Sequence, residues 1–100
     1  MRGDEHTMTE PILVNVTEEI VSGLVRFLLH GTDYQTFCHC NYCETEITAD
    51  VLNKLPTYYV ANNEARNEAF KQLKSPENIE KINREIILSI YAVGKNKNHA

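Results

Sequence analysis

Apolar residues first recur with a helical period after Asn15. Ile20, Leu24, Phe27 and Leu28 fall at spacings of three and four, and Val21, Val25 and Leu29 widen the stripe. The pattern predicts a helix from Asn15 to about His30, with Asn15 and Glu18 spaced as a capping box and Gly31 as the residue that stops it. A stripe this broad predicts burial on two sides, as in a dimer. From Thr32 to Cys43 no period is visible, which predicts a loop. A second helix follows from Glu44 or Thr45 to Asn53 or Lys54, with Ile47, Val51, Leu52 and Leu55 marking its buried face. It stops before Pro56, because the residue preceding a proline is driven out of helical geometry. Thr57-Tyr58-Tyr59-Val60 is aromatic and β-branched and reads as extended, alone and without a sheet.

Asn62 or Asn63 can cap a third helix whose core positions are Ala65, Ala69, Phe70 and Leu73. Ser75-Pro76-Glu77 then starts a fourth, with serine as cap, proline in the first turn and glutamate favourable to the dipole. Ile79, Ile82, Ile86, Ile90 and Val93 give the clearest period in the chain, and Gly94 is expected to end it. The fold class is therefore all-α: a small single domain of about four helices with a cysteine loop. A flexible extension over residues 1–13 and a flexible tail over 95–100 flank the domain at 14–94.

At 100 residues the chain has room for one modest core, and domains of this size often lean on a metal or a partner chain. Fourteen acidic residues against ten basic give a net charge of −4, which disfavours nucleic acid as the main partner. No stretch approaches the roughly 20 apolar residues needed to cross a bilayer, and no signal-peptide pattern opens the chain.

Three cysteines, all inside Cys38-His39-Cys40-Asn41-Tyr42-Cys43, change the picture most. A secreted disulfide framework spreads an even number along the chain, so this cluster favours metal or redox chemistry and a cytoplasmic location. C-x-C-x-x-C places three thiolates on one short segment, where they can converge on a tetrahedral zinc ion. His30, at the end of the first helix, is the leading fourth ligand. His39 ranks lower, and Asp33, Glu44, Glu46, water or a second chain are alternatives. Thiol–disulfide exchange through Cys40 and Cys43 is the competing chemistry, but it usually accompanies a βαβ pattern that this chain lacks.

The chain resembles the ComFB family of late competence development proteins. The likeness is carried by Val14-Asn15-Val16-Thr17-Glu18-Glu19-Ile20-Val21, by Cys38-His39-Cys40-Asn41-Tyr42-Cys43, and by Asp50-Val51-Leu52-Asn53-Lys54-Leu55-Pro56-Thr57-Tyr58-Tyr59-Val60. The resemblance implies a small α-helical homodimer carrying zinc, and a receptor for a cyclic dinucleotide (c-di-GMP or c-di-AMP) in competence or motility. This chain has Glu46 where the family usually has an Asp, and Pro56-Thr57-Tyr58 where a doubled proline and a basic residue are common.

A cyclic dinucleotide offers two purine faces and two phosphates, which call for stacking rings and cations. Tyr58 and Tyr59, with neighbouring Lys54, and Arg66 at the start of the third helix, are the ligand-binding candidates. The alternative function is a structural zinc-containing protein–protein adaptor with no small-molecule ligand. No enzyme is expected: no nucleophile–base pair and no phosphate-cradling glycine loop is evident, and the four glycines do not cluster.

Overall fold

The computed structural model describes residues 11–35 and 37–96. Along these residues the chain runs as strand β1 (Val14–Asn15), helix α1 (Val16–Leu29), a 3-10 turn (Thr32–Tyr34), helix α2 (Asn41–Leu52), strand β2 (Tyr59–Val60), helix α3 (Asn63–Leu73) and helix α4 (Pro76–Asn96). Helix α2 packs against both α4 and α1, and α3 lies on α1 and β2. The expected all-α domain of four helices is therefore found, among the described residues, with one addition.

That addition is a two-strand antiparallel ribbon. Val14 pairs with Val60 and Asn15 with Tyr59, so the extended segment is not alone. The Val16 amide donates to the Tyr58 carbonyl at 2.8 Å and the Ile12 amide to the Ala61 carbonyl at 3.0 Å. The backbone is thus tied to the domain at Ile12, ahead of the expected boundary at 14. Residues 1–10 and 97–100, which make up most of the expected extension and tail, lie outside the described residues.

Asn15 does precede α1, but its side chain makes no cap. Its Oδ1 instead accepts the Tyr58 amide at 2.9 Å, clipping the ribbon. The α1 face also differs from expectation. Val16, Ile20, Val21, Val25 and Leu29 are buried, Leu24 and Leu28 are half-buried, and Phe27 is 75% exposed. Within one chain the stripe is therefore one-sided. Gly31 donates to the Leu28 carbonyl at 3.1 Å, yet its φ of −79° is not left-handed. A Cβ there would lie 3.3 Å from the Leu28 carbonyl oxygen, so crowding is what favours glycine.

Helix α2 begins at Asn41, three residues before the expected start, with Cys40 as its cap. Cys43, Ile47 and Val51 follow at intervals of four and are all buried, which makes Cys43 a core residue of α2. Helix α3 is capped by Asn62, whose Oδ1 accepts the Ala65 amide at 2.7 Å. Ala69 is its buried contact, with Ala65, Phe70 and Leu73 partly covered. Helix α4 starts at Pro76 after Ser75, whose Oγ accepts the Asn78 amide at 3.3 Å. Ile82, Ile86 and Ile90 are its buried stripe. It runs past Gly94 to Asn96, because one glycine costs a helix only about 1 kcal/mol.

The two asparagines give a direct check of this geometry. Asn62→Ala removes a helix cap and should cost about 1 kcal/mol in chemical denaturation. Asn15→Ala leaves only an exposed amide that water can satisfy, and should cost less. A larger loss for Asn15→Ala would contradict the assignment of the cap to Asn62.

Candidate metal centre

Local backbone geometry builds the cysteine site. After α1 the chain turns through the 3-10 segment, and Phe37 donates its amide to the Tyr34 carbonyl at 3.1 Å. Tyr34, Phe37 and Tyr91 form an edge-to-face cluster, with ring centroids 5.2–6.1 Å apart. This cluster ties the loop to the last turns of α4. Cys38 then enters the site, Cys40 caps α2, and Cys43 sits in its first turn. The Cys43 amide donates to Cys40 Sγ at 3.4 Å, and Cys38 Sγ lies 3.4 Å from Cys40 Sγ.

The three ligand atoms lie within 4.8 Å of one another, and no disulfide is formed. Three sulfurs on one zinc at about 2.3 Å would be roughly 3.8 Å apart in a tetrahedral arrangement, so only small adjustments bring these onto an ion. The donor set suits a borderline-soft cation, and the three cysteines can hold a metal ion.

Burial is graded across the site: Cys43 is 1% exposed, Cys38 is half-buried, and Cys40 is open to solvent. Leu29, Phe37, Ile47, Ile90 and Val93 wall the buried side. Desolvation by this wall, followed by hydrogen bonding with the neighbouring cysteines, pushes the Cys43 thiol up to about 12. Without a cation it stays protonated at neutral pH. A bound cation would reverse that by stabilising the thiolate.

His30 is not brought among the sulfurs. Its Nε2 lies 3.6 Å from Glu44 Oε1, and its ring faces that of His39 at 5.1 Å. His39 turns Nε2 onto the Tyr34 carbonyl at 2.7 Å. Among the described residues, no histidine, Asp33, Glu44 or Glu46 adds a ligand atom to the three-cysteine cluster. The placement of Glu44 has a physical cause: α2 starts early, and its first turn gives this carboxylate to α1. Glu44 Oε2 accepts from Arg26 Nε at 3.0 Å, which clamps the site to the end of α1. Arg26 escaped the sequence reading. Its only signal is a basic residue in the last turn of α1, ordinarily explained by the helix dipole.

Of the four ligand-binding candidates, the two cations are each held by a carboxylate. Lys54 Nζ is 3.3 Å from Asp50 Oδ2, one turn earlier. Arg66 makes a two-pronged contact with Glu19, 2.8 Å to Oε1 and 3.2 Å to Oε2, and stacks over Phe70 at 5.0 Å. The Glu19 carboxylate holds this guanidinium still more firmly in its charged form. Tyr58 and Tyr59 are both exposed. Two open grooves that share Arg26 in their lining lie elsewhere. One is lined by Phe27, His30 and Asp33, the other by Glu18, Ser22 and Thr48.

Asp50 makes a pH prediction. The Ser89 hydroxyl is buried in α4 with no partner at full hydrogen-bond geometry. It nevertheless exerts the largest influence holding the Asp50 carboxyl below its usual range, with Lys54 adding to it. A depressed folded pKa contributes stability above the unfolded value of about 3.9, and that stability is lost as pH falls through the folded value. Denaturation from pH 7 down to acid should therefore show a shallower loss in Asp50→Asn than in wild type. The effect is small, because Asp50 is partly exposed and screened. Identical pH profiles would contradict it.

No helix of the described residues is long and apolar enough to cross a membrane. No curated protein and no solved structure matches the chain. Residues 14–97 match the family model of the late competence development protein ComFB, a span that takes in every element above from β1 to α4. With its helical core and its cysteine segment inside that match, the chain belongs to the ComFB family.

Proposed function

We propose that this chain is a cytoplasmic, zinc-binding regulatory protein that acts by binding, as a homodimer, with a cyclic dinucleotide as its signal in competence or motility. The observation that carries this reading is the convergence of three cysteines inside a ComFB domain. Zinc is the expected ion because thiolate-rich structural sites favour it. A non-catalytic role is supported by the burial of Cys43, since reactive cysteines are at least partly exposed. Phe27, on the outside of α1, supports an additional protein contact there.

Tyr58 and Tyr59 supply exposed rings for stacking on the purines. Arg66 and Lys54 would meet the phosphates, each exchanging a carboxylate for a phosphate. That exchange costs affinity. The pairing of both cations is the observation that favours the second reading, an adaptor with no small-molecule ligand.

Titration calorimetry with c-di-GMP and c-di-AMP separates the two. Wild type should bind one of them, and Arg66→Ala should bind at least tenfold more weakly, as expected for about 1.5–3 kcal/mol from a charged hydrogen bond. Equal binding by both proteins removes Arg66 from the site. Failure of wild type to bind either ligand leaves the adaptor.

A further inference from the structure

Burial and spacing divide the three cysteines into an accessible pair and a held third. Cys40 is exposed and Cys38 half-buried, and both lie in the non-helical segment ahead of α2. Cys38 Sγ is 3.4 Å from Cys40 Sγ, against about 2.0 Å in a disulfide, so a small shift within one loop joins them. Cys43 belongs instead to the first turn of α2, is 1% exposed, and is walled by Ile47 and Ile90. Drawing its sulfur outward would pull the buried face of α2 from the core. An oxidant in solvent therefore meets Cys40 first, and Cys38 is the sulfur placed to follow.

We propose that Cys38 and Cys40 are an oxidant-sensitive pair, which a peroxide converts into an intramolecular disulfide with release of the metal. The inference rests on the metal reading above and adds a modification site to it. A sulfur that ligates a metal carries no proton, and the thiolate is the nucleophile. Cys40 Sγ attacks one peroxide oxygen: an S–O bond forms, the O–O bond breaks, and hydroxide leaves behind a sulfenic acid. Cys38 Sγ then attacks Cys40 Sγ: an S–S bond forms, the S–O bond breaks, and a second hydroxide leaves. The two sulfurs lose two electrons and the peroxide gains them, while the two hydroxides take two protons from solvent and become water. The disulfide withdraws two of the three sulfurs, because the thiolate is the ligating form. A dithiol reductant restores them by exchange.

The test treats the full zinc-loaded chain with hydrogen peroxide, one molecule per chain, and follows released zinc with a colour-forming chelator. In denaturant, the remaining thiols are blocked with one alkylating reagent. The disulfide is then reduced, its thiols take a second reagent, and fragmentation mass spectrometry places each label. The expected result is release of the bound zinc with a loss of two thiols per chain, the second label on Cys38 and Cys40 and the first on Cys43. Dithiothreitol and added zinc should restore the starting protein. Cys38→Ser should stop at a Cys40 sulfenic acid that dimedone traps, and Cys43→Ser should still close the disulfide. Zinc that stays bound, or that leaves without a disulfide, sinks the inference while the metal reading stands. The second label on Cys43 overturns the choice of pair, and a disulfide-linked dimer overturns the intramolecular closure. A protein that takes up no zinc overturns the metal reading and the release with it.

Discussion

Stripping the metal from the loaded protein with a strong chelator is expected to lower its Tm by roughly 15–30 °C. A ligand held at about a thousandfold above its Kd contributes about 4 kcal/mol to the folded state, and each kcal/mol moves the Tm of a domain this size by about 4–8 °C. The loss should begin at the cysteine segment and reach the end of α4, since Phe37 and Tyr91 are packed edge to face and Ile90 and Val93 wall Cys43. Cys40→Ser and Cys43→Ser should both abolish metal uptake, but they should differ without metal. At Cys40 the hydroxyl faces water. At Cys43 it would be buried against apolar side chains, adding about 1–3 kcal/mol of destabilisation. A chelated sample with unchanged Tm, or two serine variants of equal apo stability, would contradict this picture.

The second large effect belongs to the isoleucine stripe. Ile90 is fully buried and serves two regions, the core between α2 and α4 and the wall of the cysteine site. Ile90→Ala should cost about 2–5 kcal/mol, combining lost transfer energy with the cavity left behind. Set against a total stability of about 5–15 kcal/mol, this leaves a marginal domain. Metal affinity should fall with it, because the side chain that holds Cys43 in place is gone. Glu80→Ala, on the exposed side of the same helix, should stay within about 0.5 kcal/mol by urea denaturation. A loss below 1 kcal/mol for Ile90→Ala would place the core elsewhere.

Much of this architecture was legible in the chain because helices write their period locally. Ile82, Ile86 and Ile90 announce α4 at spacings of four, and Ser75-Pro76 marks its start. Asn62 shows the same locality as a cap three residues from its donor. What was not legible depends on partners far along the chain. The ribbon joins Val14 to Val60, and Asn15 spends its side chain on Tyr58 rather than on α1. Asn15 can do either in sequence terms, and only the tertiary fold decides. Arg66 reads as a solvated cation or a phosphate ligand until Glu19, 47 residues away, is placed beside it.

The cysteine segment was legible as chemistry and misread as structure. Sulfur is a rare helix cap, so Cys40 gave no start signal, and α2 was placed three residues late. The spacing of Cys43, Ile47 and Val51 held the missing information, with Cys43 as the first member of a buried face. His30 looked well placed because it ends α1 just before the loop. The early start of α2 instead sets Glu44 against Arg26 and close to His30, and the imidazole stays outside the sulfur cluster.

Native mass spectrometry of the purified chain and of Cys43→Ser tests the central claim, that the three cysteines form one metal centre, most directly. The account predicts one metal ion per chain in the wild type and none in the variant. A wild-type protein without metal, or a variant that keeps its full complement, would contradict it.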